Sequence, residues 1–184
     1  MKALNYFFSL LFLFLFVQNV SAQSSDDMKM NIDPFFQEVI NDLNDVEGKV
    51  ESLAEAIPQE DYDWSPMEGV RSVGDVLKHV AGGNYFLLSF VGDKMPEGMT
   101  EDMGKDVTDK EQIIKMLKDS YAHTKEFIAK MKVSDLDKEV EMFGNKSNYR
   151  AALFILTGHG HEHLGQLIAY ARSNKVVPPW SKKN

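Results

Sequence analysis

Apolar residues recur every three to four positions in four stretches of the chain, which is the spacing that buries one face of an α-helix. The stretches open on capping signals, such as Asp33-Pro34 before the first and Ser72 followed by Asp75 before the second. Strand-like alternation is nearly absent, and residues 140–143 are the one weak candidate. The predicted helices span, in order, about 34–57, 72–91, 108–131 and 148–173.

The connections between these helices define the predicted fold. A loop at 58–71 joins the first two, a charged segment at 132–146 joins the last two, and a long link at 92–107 separates the second from the third. This arrangement predicts an all-α protein, an antiparallel four-helix bundle with a long crossover between helices 2 and 3. We expect Thr108 to cap the third helix, and Asn174 to end the fourth in a left-handed conformation.

The first 22 residues have the composition of a secretory signal. An apolar run follows Lys2, is shorter than the roughly 20 residues that span a bilayer, and ends in the small-x-small pattern Val20-Ser21-Ala22. We therefore predict cleavage near Ala22-Gln23, export to the periplasm or medium, and no membrane attachment afterwards; an uncleaved anchor is the alternative. Residues 23–32 are predicted to be a flexible leader, and 33–184 a single domain.

Composition narrows the chemistry that this domain can perform. The chain has 20 Lys and Arg against 28 Asp and Glu, a net charge of −8, so it repels phosphate backbones and nucleic acid is not an expected partner. It has no cysteine, which excludes disulfides, thiolate metal ligands and a cysteine nucleophile. A metal would have to be held by histidine, carboxylate or carbonyl groups.

Three histidines fall on apolar helix faces. His159 and His163 are four residues apart on the fourth helix and therefore one turn above each other, and His79 lies on the apolar face of the second helix. Facing helices of a bundle commonly hold metals in this way. The alternative is that each is a hydrogen-bonded core residue, which is the usual role of a single histidine on an apolar face.

The other two histidines lack this relation. His161 points away from its neighbours at 159 and 163, so we expect a solvated or interface position, and His123 on the third helix is expected at the surface or rim.

The sequence contains no His-Glu-x-x-His, which excludes a zincin protease. Met95, Met99 and Met103 recur every four residues in the long link, where a flexible apolar lid is favoured over a copper site.

Several motifs together resemble the DinB/YfiT-like family. The elements are Leu77-Lys78-His79, then His159-x-x-x-His163-Leu-Gly-Gln166, the loop with Trp64 and Arg71-Ser72, and the closing Pro178-Pro179-Trp180. The resemblance covers about residues 34–180. It implies a four-helix bundle that binds a divalent metal through His79, His159 and His163, frequently as a homodimer.

The family resemblance also implies a function. Relatives include thiol-dependent transferases and isomerases that use low-molecular-weight thiols, and proteins described as metal-dependent hydrolases. Three neutral ligands leave coordination positions open, as in a catalytic site, and Zn or Ni is the expected metal. We therefore predict an exported metal-dependent enzyme, a hydrolase or thiol-dependent transferase acting on a small molecule; the alternative is a non-catalytic metal-binding or sensing protein.

The sequence assigns neither a substrate nor a catalytic base. Glu162 is predicted to be a solvated acid, and Gln166 to be a polar group that supports a ligand. Export weakens the transferase interpretation, because we expect a cytosolic thiol to be scarce outside the cell. The extra His161 inside the motif is a second departure from the family pattern.

Overall fold

The computed structural model of the protein describes residues 32–95 and 104–181. The predicted signal peptide at 1–22, the leader up to residue 31, and Met99 and Met103 lie outside these ranges. Within the described ranges, no helix is both long enough and apolar enough to cross a membrane.

Four helices account for most of the described chain, as predicted. Helix α1 is Pro34–Ala56, α2 is Val73–Ser89, α3 is Lys110–Ala129 and α4 is Tyr149–Ser173. A short antiparallel hairpin, β1 at Glu139–Met142 and β2 at Asn145–Asn148, precedes α4. The predicted four-helix bundle is therefore confirmed. The weak strand signal marks β1, whereas the polar residues of β2 carry no alternation that could have predicted a strand.

The predicted caps of α1 and α2 are present, and Asn148 caps α4 in the same way. Asp33, Ser72 and Asn148 each accept a backbone N–H from the first turn of their helix. Each such cap typically contributes about 1 kcal/mol.

The predicted cap of α3 is wrong by one residue. Asp109, rather than Thr108, caps the helix, because its Oδ1 accepts the backbone N–H of Gln112 at 2.9 Å. Gln59 from the preceding loop holds the chain at this point. Its Nε2 donates to the Thr108 carbonyl and its Oε1 accepts the N–H of Lys110, so Thr108 remains in the loop.

The end of α4 also differs from the prediction. Asn174 has φ −90°, and the left-handed residue is Lys175 with φ 62°. The Asn174 side chain donates from Nδ2 to the Tyr170 carbonyl at 3.0 Å. The Tyr170 carbonyl also accepts the backbone N–H of Asn174 at 3.1 Å, so Asn174 binds it twice, and the left-handed turn out of the helix falls on the next residue.

The long crossover is confirmed, and it determines the direction of α3. Gly74 near the start of α2 lies against Ile113 near the start of α3, and further along both helices Tyr85 lies against His123. The crossover thus returns the chain along the bundle, so that α3 runs parallel to α2. Lys78 holds the end of this segment, since its Nζ donates to the Val107 carbonyl at 3.0 Å.

Helices α2 and α4 run in opposite directions past each other. His79 lies beside His163, while Gly92, beyond the C-terminal end of α2, lies beside Tyr149 at the start of α4. Helix α2 also packs on α3, and α4 also packs on α1. The core between the helices consists of aliphatic side chains together with Tyr62 and Tyr121. The α2–α4 pair brings the predicted metal ligands together.

The corrected cap of α3 can be tested by substitution. Asp109→Ala should lower the free energy of unfolding by about 1 kcal/mol, because the N–H of Gln112 loses its acceptor. Thr108→Ala is the matched control and should change stability by less than about 0.5 kcal/mol. Urea unfolding followed by circular dichroism measures both, and a larger loss in Thr108→Ala would contradict the assignment.

Candidate metal centre

The three predicted ligands come together at the α2–α4 contact. His79 lies in the second turn of α2, and His159 and His163 lie on successive turns of α4. The three ring centroids are 4.5 to 5.0 Å apart. His163 is buried, and the other two rings are half-buried. The i, i+4 spacing on one helix and the antiparallel neighbour together explain why the rings converge.

The ring nitrogens are close enough to share one ion. The Nε2 atoms of His79 and His159 are 3.2 Å apart, and one nitrogen from each of the three rings lies within 4.8 Å of the others. Two imidazole nitrogens bound to one tetrahedral zinc at their usual bond lengths would be about 3.3 Å apart. The three side chains therefore fit a single divalent ion.

Gln166 and Tyr170 orient one of these ligands. Gln166 accepts from Nδ1 of His163 through Oε1 at 2.8 Å, and its Nε2 donates to the Tyr170 hydroxyl at 2.8 Å. The Tyr170 ring in turn contacts Trp64 edge-on at 5.3 Å between centroids. With Nδ1 engaged as a donor, the lone pair of His163 is on Nε2, the atom available to a metal.

Gly83 provides the space that His159 occupies. A Cβ at this position of α2 would lie 2.4 Å from Cε1 of His159, so the imidazole rests directly against the α2 backbone. An alanine or anything larger would displace the ring. Gly83 is therefore a residue of the site, although in the sequence it is only a small residue on the apolar face of its helix, four positions after His79.

The hydrogen bonding of His159 does not fit an ordinary core histidine. Its Nδ1 is buried and has no hydrogen-bond partner in the described part of the chain. Such a buried polar atom costs about 1–3 kcal/mol. If the three histidines were ordinary core residues, each ring nitrogen would have a hydrogen-bond partner. His159 does not meet this condition, because its Nδ1 has none among the described residues and its Nε2 faces the ring of His79.

The environment strongly disfavours a positive charge on His159. Burial lowers its pKa from 6.5 to about 4, and repulsion from His163, His79 and Arg71 acts in the same direction. The ring is therefore neutral near pH 7, the form that can bind a metal. Arg71 was identified in the sequence only as part of the family pattern, and this electrostatic influence on the site could not be read from it.

The other candidates lie outside the cluster. His161 is exposed and contacts Asp42 Oδ1 through Nε2 at 2.9 Å, on the opposite face of α4. His123 is at the rim, with Nε2 at 2.6 Å from Asp93 Oδ2. Glu162 is exposed, in keeping with the prediction of a solvated acid.

The fold and the histidine cluster define a class of protein, a four-helix bundle with three histidines between two of its helices that could hold a metal ion. The chain belongs to the DinB superfamily, whose family model matches residues 42–167. A search among curated proteins found no match.

Solved structures share this fold at low sequence identity. A DinB-like protein from Bacillus cereus ATCC 10987 is 17% identical with a TM-score of 0.69, covering 78% of this chain and 95% of its own. The DinB-like protein YjoA from Bacillus subtilis is 19% identical with a TM-score of 0.60, and the coverages are 76% and 93%. YfiT from Bacillus subtilis is 15% identical with a TM-score of 0.62 and coverages of 77% and 89%. It is described as "a probable metal-dependent hydrolase with an unusual four-helix bundle topology".

The role of Gly83 gives a first prediction for the site. Gly83→Ala should weaken zinc binding at least tenfold, because the new methyl group displaces the His159 ring. Gly48→Ala is the matched control: Gly48 is an exposed glycine within α1 with nothing within 4 Å of an added Cβ. It should leave zinc affinity unchanged and stabilise the protein by about 0.5–1 kcal/mol. Calorimetric zinc titration and thermal unfolding measure the two effects, and equal zinc affinity in both variants would contradict this role.

The lowered pKa of His159 predicts how the metal-free protein responds to acid. The folded-state value of about 4 lies below the ordinary 6.5, so between these values the unfolded chain binds a proton that the folded chain excludes. Stability from this group is complete above about pH 6.5 and should fall by about 2 kcal/mol on acidification to pH 5.

Two variants isolate this contribution. His159→Gln should reduce the loss of unfolding free energy between pH 7 and pH 5, measured by urea titration after chelator treatment. His161→Gln, at an exposed histidine of the same helix, should retain it. An identical pH dependence in wild type and His159→Gln would show that His159 is not held neutral in the folded protein.

Proposed function

We propose that this protein is a metal-dependent enzyme that acts on a small molecule through a divalent ion held by His79, His159 and His163. The observation that carries the proposal is the convergence of the three ring nitrogens within 4.8 Å of one another. The description of YfiT, a structure of the same fold, as "a probable metal-dependent hydrolase" also supports it.

The ligand set favours zinc or nickel. Three imidazoles form a borderline-soft, uncharged donor set that suits these ions, and they leave at least one coordination position open. A divalent ion bound there would act as a Lewis acid and would lower the pKa of a coordinated water or thiol. The chain's own contribution is to orient the ligands, through Gln166 on His163 and Gly83 beneath His159.

Two reaction classes remain within the proposal. Hydrolysis needs only water as the second reactant, whereas thiol transfer needs a low-molecular-weight thiol from outside, because the chain has no cysteine. Hydrolysis is favoured if the protein is exported, which we propose from the apolar run and the Val20-Ser21-Ala22 pattern at its N-terminus.

Association as a homodimer is a further proposal, and it rests on the family resemblance alone.

A specific observation favours the alternative of a metal-binding or sensing protein. The exposed Glu162 is the carboxylate nearest to the ligands in sequence, and it faces solvent. It is therefore not positioned as a buried general base beside the histidines. No general base is therefore assigned. The open coordination positions favour the enzyme, and the tests below separate the two.

Metal content tests the shared part of both functions. Protein purified without a histidine tag should bind one equivalent of zinc or nickel. His79→Ala, His159→Ala and His163→Ala should each reduce retained metal at least tenfold after gel filtration, whereas His161→Ala should retain it. Equal metal content in all four variants would eliminate the site.

The pH dependence of turnover separates the functions. A hydrolase should cleave an ester, amide or lactone from a substrate panel, and its rate should rise with pH while metal occupancy stays constant. A transferase should react with an epoxide only when a thiol is added. Failure of every substrate in the fully loaded protein, with and without thiols, would favour the binding protein.

A further inference from the structure

Helix α2 presents an apolar surface that begins at the histidines. His79, Gly83, Phe86 and Phe90 are spaced by four, three and four residues, so they lie on one face of the helix. The first two positions belong to the metal centre. Phe86 and Phe90 continue the same face toward the hairpin, and we name Phe86, Phe90 and Phe143 the aromatic strip.

The three rings of the aromatic strip contact one another and remain open to solvent. The centroid distances are 5.1 Å for Phe86 and Phe90, 5.3 Å for Phe90 and Phe143, and 6.3 Å for Phe86 and Phe143. Phe143 is 62% exposed, and the other two are half-buried. Ile155, 39% exposed, precedes His159 by one turn of α4 and so lies toward the same end of the site.

Phe143 occupies a position that folding alone does not favour. It is the first residue of the two-residue turn between β1 and β2, with φ 51°, and Gly144 follows with φ 76°. Turns with positive φ at both positions favour Asn-Gly, and a bulky residue in the left-handed region is strained. The ring is mostly exposed, so burial within the chain does not offset this strain. Such strain is typically retained at positions that bind a ligand.

From this arrangement we propose that the substrate of the three-histidine site carries an apolar arm, alkyl or aryl, that lies along the aromatic strip. The inference rests on the proposed metal site. From Gly83, where His159 packs, to Phe90 is seven residues, or about 10 Å along the helix. A group bound at the histidines could therefore extend over Phe86 and Phe90 and reach Phe143 at its end.

The position of the strip favours a substrate arm over a macromolecular partner. It lies on the same helix face as His79, and its near end is within one helical turn of the ring of His159. A protein partner that covered the three rings would not need the neighbouring histidines. A substrate that binds the metal and carries an apolar arm would contact the histidine cluster and the aromatic strip at the same time.

Hydroxamates of increasing chain length test this proposal, because the hydroxamate group binds the metal and the chain reports on the strip. Acetohydroxamate, hexanohydroxamate and octanohydroxamate are titrated into Co²⁺-loaded protein, and dissociation constants are obtained from the visible spectrum. Each methylene that becomes fully buried should tighten binding up to about fourfold. We expect octanohydroxamate to bind at least 30-fold more tightly than acetohydroxamate.

Variants place the chain on the strip. Phe143→Ala and Phe86→Ala should weaken octanohydroxamate binding at least fivefold and leave acetohydroxamate binding unchanged. Phe154→Ala is the matched control, because Phe154 is 65% exposed on another face of α4, beside His161. It should change neither affinity. Phe143 is exposed, so its removal should not prevent folding.

The outcomes distinguish this inference from the function on which it rests. Protein that binds neither cobalt nor acetohydroxamate overturns the proposed metal site and the inference with it. Tight acetohydroxamate binding without any gain from chain length overturns the inference alone. A change of oligomeric mass in Phe143→Ala, with hydroxamate affinities unchanged, would assign the strip to a contact between protein molecules and also overturn the inference.

Discussion

The close contact of α2 with His159 at Gly83 is the constraint on which the site depends. The imidazole occupies the space that any other side chain at 83 would fill, and this brings its Nε2 to 3.2 Å from that of His79. His163 joins them because it lies one turn further along α4. A glycine within a helix costs roughly 0.5–1 kcal/mol relative to alanine, and here the helix accepts that cost at the point where it meets a ligand.

The metal-free site stores unfavourable interactions that a cation would relieve. The Nε2 atoms of His79 and His159 face each other at 3.2 Å beside a third imidazole, and the pKa of His159 is lowered to about 4. Protonation is thus a poor way to satisfy these rings, because the charge would be buried near two other histidines and Arg71. A divalent ion uses the lone pairs directly, and its binding free energy then adds to the stability of the fold.

Much of the bundle could be predicted because its signals are local. Periodicity and the caps at Asp33 and Ser72 identify the helices, and the four-residue spacing of His159 and His163 places two ligands on one face. The cap of α3 could not be predicted, because it depends on Gln59, which is distant in sequence. The same limit applies to Gly83, whose role depends on a ring from another helix. Phe143 was predicted within a strand, and only the backbone shows that it begins a strained turn.

The most direct test of a shared three-histidine site is X-ray absorption at the zinc edge of protein loaded with one equivalent of zinc. We predict that the zinc is bound by three imidazole nitrogens at about 2.0–2.1 Å and by one light donor atom from solvent. Multiple scattering from the rings should give the number of imidazole ligands on the zinc. This number should fall from three to two in His79→Ala. A shell of oxygen donors, or one with a single imidazole, would contradict the claim that α2 and α4 together hold the metal.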